Sequence, residues 1–278
     1  MTHIFDGRSF AQSRMELLGE EVKKIKVNGI NPKLCSILVG NDSASNLYVN
    51  LKKKKGEGIG IEVEIMKLSD NVKPEKLINI IKKLNIDKKV HGVMVQLPLP
   101  KSFSENDREV ITNSINFEKD VDGLREESLF TAPVVRSIEE IIGVSEKYLP
   151  HDHYPYQIVV VGANGFVGRK VIKRLEKYNP RVYSYLGLDI KDDGFRKSIS
   201  LADIVISATG VANLIKMDMV KRGVVLIDVG SPCGDIEKKA YEKSVFASPV
   251  PGGVGPVTVA CLLENLVQSA EKLQFNVV

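Results

Sequence analysis

The stretch Gln157-Ile158-Val159-Val160-Val161-Gly162-Ala163-Asn164-Gly165-Phe166-Val167-Gly168 decides the fold. A fully apolar strand runs into glycine, and the glycines that follow are spaced GxxGxxG before a helical pattern begins. Such a turn is tight. It faces backbone amides toward a bound phosphate, and the helix that it opens presents a positive dipole end to an anion. A glycine-rich turn also serves plain strand–helix packing, so the signal gains weight from its surroundings. Asp189 lies 21 residues beyond Gly168, near the end of the next strand. A ribose-binding carboxylate is expected at about that spacing. Asp189 also reads as a solvated loop acid, since Lys191, Asp192 and Asp193 follow it. Further strands are predicted near Val182–Leu188, Ile204–Ala208 and Val224–Val229.

Upstream, Leu34–Gly40 reads as a buried strand ending in a turn. Asn41-Asp42-Ser43 offers a helix N-cap, and a helix follows from about Ala44 to Lys55, stopping at Gly56–Gly60. Ile61–Leu68 is a second strand, about Lys73–Leu84 a helix, and Val90–Leu97 a third strand, ended by Pro98 and Pro100. This β-α-β-α-β alternation predicts a mostly parallel sheet in an α/β protein. Ligands of such sheets bind beyond the carboxyl ends of the strands. Around 132–150 the pattern is helical, with Ile138, Ile141 and Ile142 as its apolar stripe. Leu149–Pro155 is a polar, proline-bounded break before a second domain.

Composition fits a globular protein that is not membrane-embedded. Of 278 residues, 43% are hydrophobic and 27% charged, with a net charge of +4. No apolar run approaches the ~18 residues of a membrane span, and the start, Met1–Arg8, lacks the apolar region of a secretory signal. Cys35, Cys233 and Cys261 are widely spaced and imply neither a disulfide framework nor a zinc site. A cytoplasmic setting is expected. The mild positive charge suits an anionic small molecule.

Four places carry candidate chemistry. Tyr48 and Lys52 are four apart and share a helix face that begins where a strand's carboxyl end opens. Lys52, Lys53, Lys54 and Lys55 read either as a solvated helix end or as neighbours that disfavour the charged form of one lysine. Gln96 closes the third strand, as a strand cap or a site donor. Lys119-Asp120-Val121-Asp122-Gly123 places two carboxylates near a turn, where Asp and Gly also serve turn chemistry. Pro251-Gly252-Gly253-Val254-Gly255-Pro256 is poor helix and poor strand. It is expected to be a shaped binding loop, or an ordinary turn, before a helix at about 257–272.

Together these pieces resemble the bifunctional methylenetetrahydrofolate dehydrogenase/cyclohydrolase family. The resemblance rests on Val39-Gly40 with Ser45, Tyr48-Val49, Lys52 and Lys54, and on Val95-Gln96-Leu97-Pro98-Leu99-Pro100. It continues through Lys119–Gly123, Gly162 to Gly168-Arg169, Ile227-Asp228-Val229-Gly230, and Pro251–Pro256 with Thr258, in the family's order across nearly the whole chain. It implies two α/β domains with a folate cleft between them. One is a folate-binding catalytic domain, 1–135, completed by the carboxyl-terminal helix 257–278. The other is a Rossmann-like, doubly wound NAD(P)-binding domain, 136–256. It also implies a homodimer, tetrahydrofolate derivatives (polyglutamylated) as ligands, no nucleic-acid or membrane partner, and no metal. Lys52 would be the catalytic lysine, Tyr48 would pack on the aminobenzoate ring, Gln96 would orient Lys52, and Asp122 would hold the pterin. Val49, Val95, Leu97, Pro251 to Pro256 and Thr258 would line the folate. Gly162, Ala163, Asn164, Gly165, Val167, Gly168, Asp189 and Ser231 would hold the cofactor.

The chain departs from the family pattern mainly in its cofactor half. Asn164 stands where the family has serine, and Leu188-Asp189-Ile190 where a His-containing pair reads the 2′-phosphate of NADP. A carboxylate there repels a phosphate and accepts bonds from a free ribose hydroxyl, so NAD is expected over NADP. Ala132-Pro133-Val134-Val135 replaces a Pro-Cys-Thr-Pro run, and Ser231–Asp235 replaces a longer hairpin. These changes leave open a cyclohydrolase with weakened dehydrogenation. Two other readings compete: a two-domain NAD(P) dehydrogenase of an amino acid or shikimate type, and a basic nucleotide-sensing or nucleic-acid-binding protein using the lysines at 52–55.

Overall fold

The structure is a computed structural model, and it describes residues 1–179, 181–185 and 193–275. In chain order the elements are β1 (His3–Ile4), α1 (Gly7–Val27), β2 (Lys33–Val39), α2 (Ser43–Glu57), β3 (Glu62–Leu68) and α3 (Pro74–Ile86). Next come β4 (Gly92–Val95), α4 (Glu105–Asn113), α5 (Pro133–Glu146), β5 (Ile158–Val161), α6 (Phe166–Leu175) and β6 (Val182–Tyr185). Last are α7 (Asp193–Leu201), β7 (Ile204–Ser207), β8 (Val224–Asp228), β9 (Ser244–Ser248) and α8 (Val254–Phe275). The chain divides into two units: Gln12–Pro133 with Val259–Val278, and Met1–Ala11 with Val134–Thr258. Met1–Ala11, counted above with the amino-terminal domain, belong with the later unit, where β1 pairs with β9.

The first unit holds a parallel sheet ordered β3-β2-β4. Its central strand β2 is buried from Leu34 to Val39, as a parallel strand covered on both faces must be. Asp42 caps α2 by accepting the Ser45 backbone N–H at 2.7 Å. Ser45, Val49, Lys52 and Gly56 form the buried stripe of that helix. α8 packs close to β4: a Cβ on Gly92 would lie 2.6 Å from Leu266 Cδ1. Asn265 Nδ2 donates to Val121 O at 2.9 Å and to Thr131 O at 3.1 Å, and Ser269 Oγ donates to His91 O at 2.6 Å. Arg14 on α1 pairs with Glu264 through two nitrogens.

In the second unit the described residues form a parallel sheet ordered β1-β9-β8-β7-β5-β6. The chain leaves β5 for β6 on one side and then places β7 on the other. That reversal makes a topological switch point at the carboxyl ends of β5 and β7. Val159, Val161, Val205 and Leu226 pack with Phe195, Ile199, Ile215 and Met219 on one face. Gly162 follows β5 with φ +92°, and a Cβ there would lie 2.5 Å from Ala208 O. Among the described residues, no helix is long and apolar enough to cross a membrane.

The structure adds elements to the sequence reading, describes one predicted strand only in part and shifts one boundary. The sequence reading assigns no element to β1, α1, α4 or β9. The predicted strand at Val182–Leu188 is described only as Val182–Tyr185; the rest of it, with Asp189, lies outside the described residues. The run Pro251–Pro256 is only half a loop, because α8 begins at Val254 and takes Val254, Gly255 and Pro256 as its first turn. Proline is tolerated there because first-turn N–H groups have no acceptor one turn back.

The close packing of α6 yields a direct stability test. A Cβ on Gly168 would sit 2.2 Å from Gly162 O, whereas one on Gly143, in α5, meets no atom within 4 Å. Gly168→Ala is expected to destabilise this unit by about 2–4 kcal/mol. Gly143→Ala is expected to be neutral or stabilising by up to about 1 kcal/mol. Urea unfolding of the two variants checks the contrast.

Candidate active site

Lys52 is the centre of the first unit's site. It projects from the buried stripe of α2 and is only 8% exposed. Its Nζ donates to Gln96 Oε1 at 3.0 Å and lies 3.8 Å from Met94 Sδ. Gln96 follows β4 directly and keeps the ladder going, its N–H reaching Ile37 O at 2.8 Å. Its Nε2 donates to Leu97 O at 2.8 Å. That second bond fixes the amide so that the oxygen faces Lys52.

Burial holds the Lys52 amine below the ordinary lysine range, and the negative charge of Asp122 opposes this without reversing it. The sequence reading looked to the neighbouring lysines for that effect. They do not supply it: Lys54 and Lys55 are exposed, and Lys53, half-buried, pairs with Glu57 at 3.5 Å. Desolvation, not like-charge repulsion, is the cause.

The Lys119–Gly123 segment divides its work. Lys119 Nζ donates to Leu84 O at 3.1 Å and Asp87 O at 2.7 Å, closing the end of α3. Asp120 is fully buried and accepts the N–H groups of Leu124 and Arg125 at 2.9 and 3.0 Å. Both are structural. Asp122, two residues beyond Asp120, stays half-buried and is the carboxylate whose charge acts on Lys52. Tyr48 is half-buried one helical turn before Lys52, while Val49 and Val95 are fully buried. Leu97 keeps a partly open face.

The second unit carries the glycine-rich sites. In the turn after β5, Ala163 is buried while Asn164 and Gly165 are exposed. Gly165 occupies the cap position of α6 and gives it no side-chain hydrogen bond. The helix therefore offers its first-turn N–H groups to an outside anion. Gly168 is buried and Val167 half-buried in that first turn. Exposed Ser231 lies in a loop tied down by Asp228, which accepts N–H groups from Gly230, Asp235 and Ile236 at 2.9, 3.0 and 2.9 Å. Burial raises the Asp228 carboxyl despite those three donors. Asp235 is equally buried and takes Ser207 Oγ at 2.9 Å, Thr209 N at 2.6 Å and Thr209 Oγ1 at 2.8 Å on one oxygen.

The proline–glycine segment has a matching internal logic. Gly252 has φ +105°, and a Cβ on Gly253 would fall 2.2 Å from Ser248 Oγ. Gly7, in the first turn of α1, sits so close that its Cβ would lie 2.0 Å from Gly253 O. Val254 is buried, so its side chain serves packing. Thr258 Oγ1 donates to Val254 O at 3.1 Å and lies 3.0 Å from Ser137 Oγ. Gly255 differs: a Cβ there meets nothing within 4 Å. Among the described residues, no packing explains its bareness. Pro251 is exposed and Pro256 half-buried.

The family model described as the tetrahydrofolate dehydrogenase/cyclohydrolase catalytic domain matches residues 5–122. The NAD(P)-binding domain of the same family matches residues 146–274. The bifunctional protein FolD of Aquifex aeolicus is 38% identical over 288 residues, covering 98% of this chain and 96% of that protein.

The chain belongs to the tetrahydrofolate dehydrogenase/cyclohydrolase family.

Among solved structures, the bifunctional FolD enzyme from Campylobacter jejuni is 34% identical, with a TM-score of 0.86 over 98% of this chain and 99% of that one. The Trypanosoma brucei FolD, solved with NADP and an inhibitor, is 27% identical, with a TM-score of 0.88 over 98% of each chain. Sequence reasoning missed three residues that shape the sites of this family member: Met94, Asn265 and Asp235. Asn265 carried a weak signal, as a lone amide in the apolar run Leu262-Leu263-Glu264-Asn265-Leu266. Met94 and Asp235 carried none.

Because the Lys52 amine is depressed in the folded state, the unfolded chain binds more protons between that lowered value and the ordinary 10.5. Folding stability must gain from this group as pH rises through the window. The stability of the parent relative to Lys52→Met is expected to increase with pH up to about 10.5. Urea unfolding of both proteins across the alkaline range measures it, and parallel curves would contradict it.

Proposed function

We infer that the chain oxidises 5,10-methylenetetrahydrofolate to 5,10-methenyltetrahydrofolate with NAD(P)+ and hydrolyses the product to 10-formyltetrahydrofolate. Membership of the family carries both activities, and the buried Lys52–Gln96 pair is the single observation that carries the hydrolytic one. In the substrate two nitrogens flank the one-carbon unit, and their lone pairs drive hydride departure, leaving a methenyl cation. A bound NAD(P)+ supplies the hydride acceptor. The protein's share of that step is placement. The uncapped first turn of α6, with Gly162 to Gly168, suits a pyrophosphate; Ala163, Asn164, Val167 and Ser231 complete the proposed cofactor set.

Hydrolysis asks more of the side chains. Water attacks the methenyl carbon, a C–O bond forms, and a base takes the water proton. Lys52 does this because burial favours its neutral amine. As the C–N bond then breaks, the Lys52 ammonium returns the proton to the departing nitrogen, while the hydroxyl on the carbon releases its remaining proton to solvent and becomes the formyl C=O. Gln96 orients Lys52, Tyr48 packs on the aminobenzoate ring, and the Asp122 carboxylate accepts pterin N–H groups. Gly255, which no described residue crowds, is where a flat ring has room to approach.

Preference for NAD over NADP rests on Asp189, whose carboxylate disfavours a 2′-phosphate. A homodimer in the cytoplasm acting on polyglutamylated folates completes the reading.

Two assays test it. Lys52→Met is expected to abolish decay of methenyltetrahydrofolate absorbance while leaving cofactor affinity unchanged; substantial remaining hydrolysis removes Lys52 from its role. The ratio of kcat/KM for the two cofactors is expected to favour NAD, and a clear NADP preference overturns the assignment to Asp189.

A further inference from the structure

Met94 and Gln96 are two residues apart, at and just past the end of β4, so their side chains share one face of the strand. Lys52 is laid against that face and touches both, Gln96 Oε1 at 3.0 Å and Met94 Sδ at 3.8 Å. Met94 is fully buried, and a thioether accepts a hydrogen bond weakly but cannot donate one. Gln96 is likewise held as an acceptor, because its Nε2 is committed to Leu97 O at 2.8 Å. On this side the amine thus meets acceptors only.

A neutral amine has two N–H bonds and one lone pair. With one N–H directed at Oε1 and the other at Sδ, the lone pair takes the remaining tetrahedral direction, away from the strand. Neither neighbour can present a proton to quench it. We propose that Met94 is a positioning residue for the hydrolytic step, its sulfur fixing the second N–H of Lys52 so that the lone pair faces the attacking water. The proposal rests on the reading of Lys52 as the base. It is distinct from space filling, because a leucine fills similar volume but accepts no hydrogen bond.

Sulfur also favours the ammonium slightly, as any acceptor does. Removing it leaves the amine easier to deprotonate yet worse aimed. In Met94→Leu, the kcat for methenyltetrahydrofolate hydrolysis is expected to fall about three- to tenfold with KM unchanged. The acidic limb of its pH profile is expected to move to lower pH. The dehydrogenase kcat and the urea midpoint are expected to match the parent. Unchanged hydrolytic kcat and pH midpoint would overturn the proposal, as would a parallel fall of both activities with stability. Lys52→Met, assayed alongside, separates the two claims. If it retains hydrolysis, the base assignment itself fails. If it is dead while Met94→Leu behaves as the parent, only the positioning role of Met94 fails.

Discussion

A lysine that is 8% exposed has given up most of its hydration, and its charged form pays for that far more than its neutral form. The rest of the catalytic unit is arranged so that Lys52 stays in that position. The Asp42 cap starts α2 in the register that turns Ser45, Val49, Lys52 and Gly56 inward. Gly56 lets α2 lie close to β3, since a Cβ there would meet Val63 at 2.7 Å. β4 ends one residue before Gln96, and the amide is locked by Leu97 O. Among the described residues, the Asp122 carboxylate opposes the depression of the amine. It is strong enough to interact with the ammonium and too weak to reverse the effect of burial. Burial and the Asp122 charge thus act in opposite directions on the group proposed to serve first as base and then as acid.

The nucleotide unit uses the opposite device. Its buried carboxylates do no proposed chemistry; they organise backbone. Asp228 gathers three N–H groups beyond β8, and Asp235 joins that loop to the end of β7 through Ser207 and Thr209. Buried acids cost free energy unless they are well bonded. Here they hold the loops at the carboxyl ends of the strands, on the side of the sheet where a switch point places a ligand. Gly7 and Gly253 add a steric constraint of the same kind, leaving no room for a side chain between the start of α1 and the proline–glycine segment.

The parallel strands were legible because buried strands read as continuous apolar runs, and Ile158–Val161 or Leu34–Val39 need no partner to be recognised. The cap at Asp42 and the shared face of Tyr48 and Lys52 followed from spacing alone. β1 and β9 escaped because two and five residues carry too little pattern. The start of α8 was misplaced because Gly and Pro were read as loop, although a first turn tolerates both. The source of the Lys52 shift was misread because a run of four lysines suggests repulsion, whereas only the fold shows that one is buried and its neighbours are not. Met94 was invisible for a related reason: a methionine in an apolar strand looks like core, and its sulfur matters only when a lysine from another element arrives beside it.

The central claim is that the fold itself, by burial, favours the neutral form of Lys52. Direct titration of its ionisation, by NMR of the lysine side chain in the folded enzyme with Lys52→Met to assign the signal, tests this most directly. The account predicts a midpoint clearly below the ordinary 10.5. A midpoint at or above that value would contradict it.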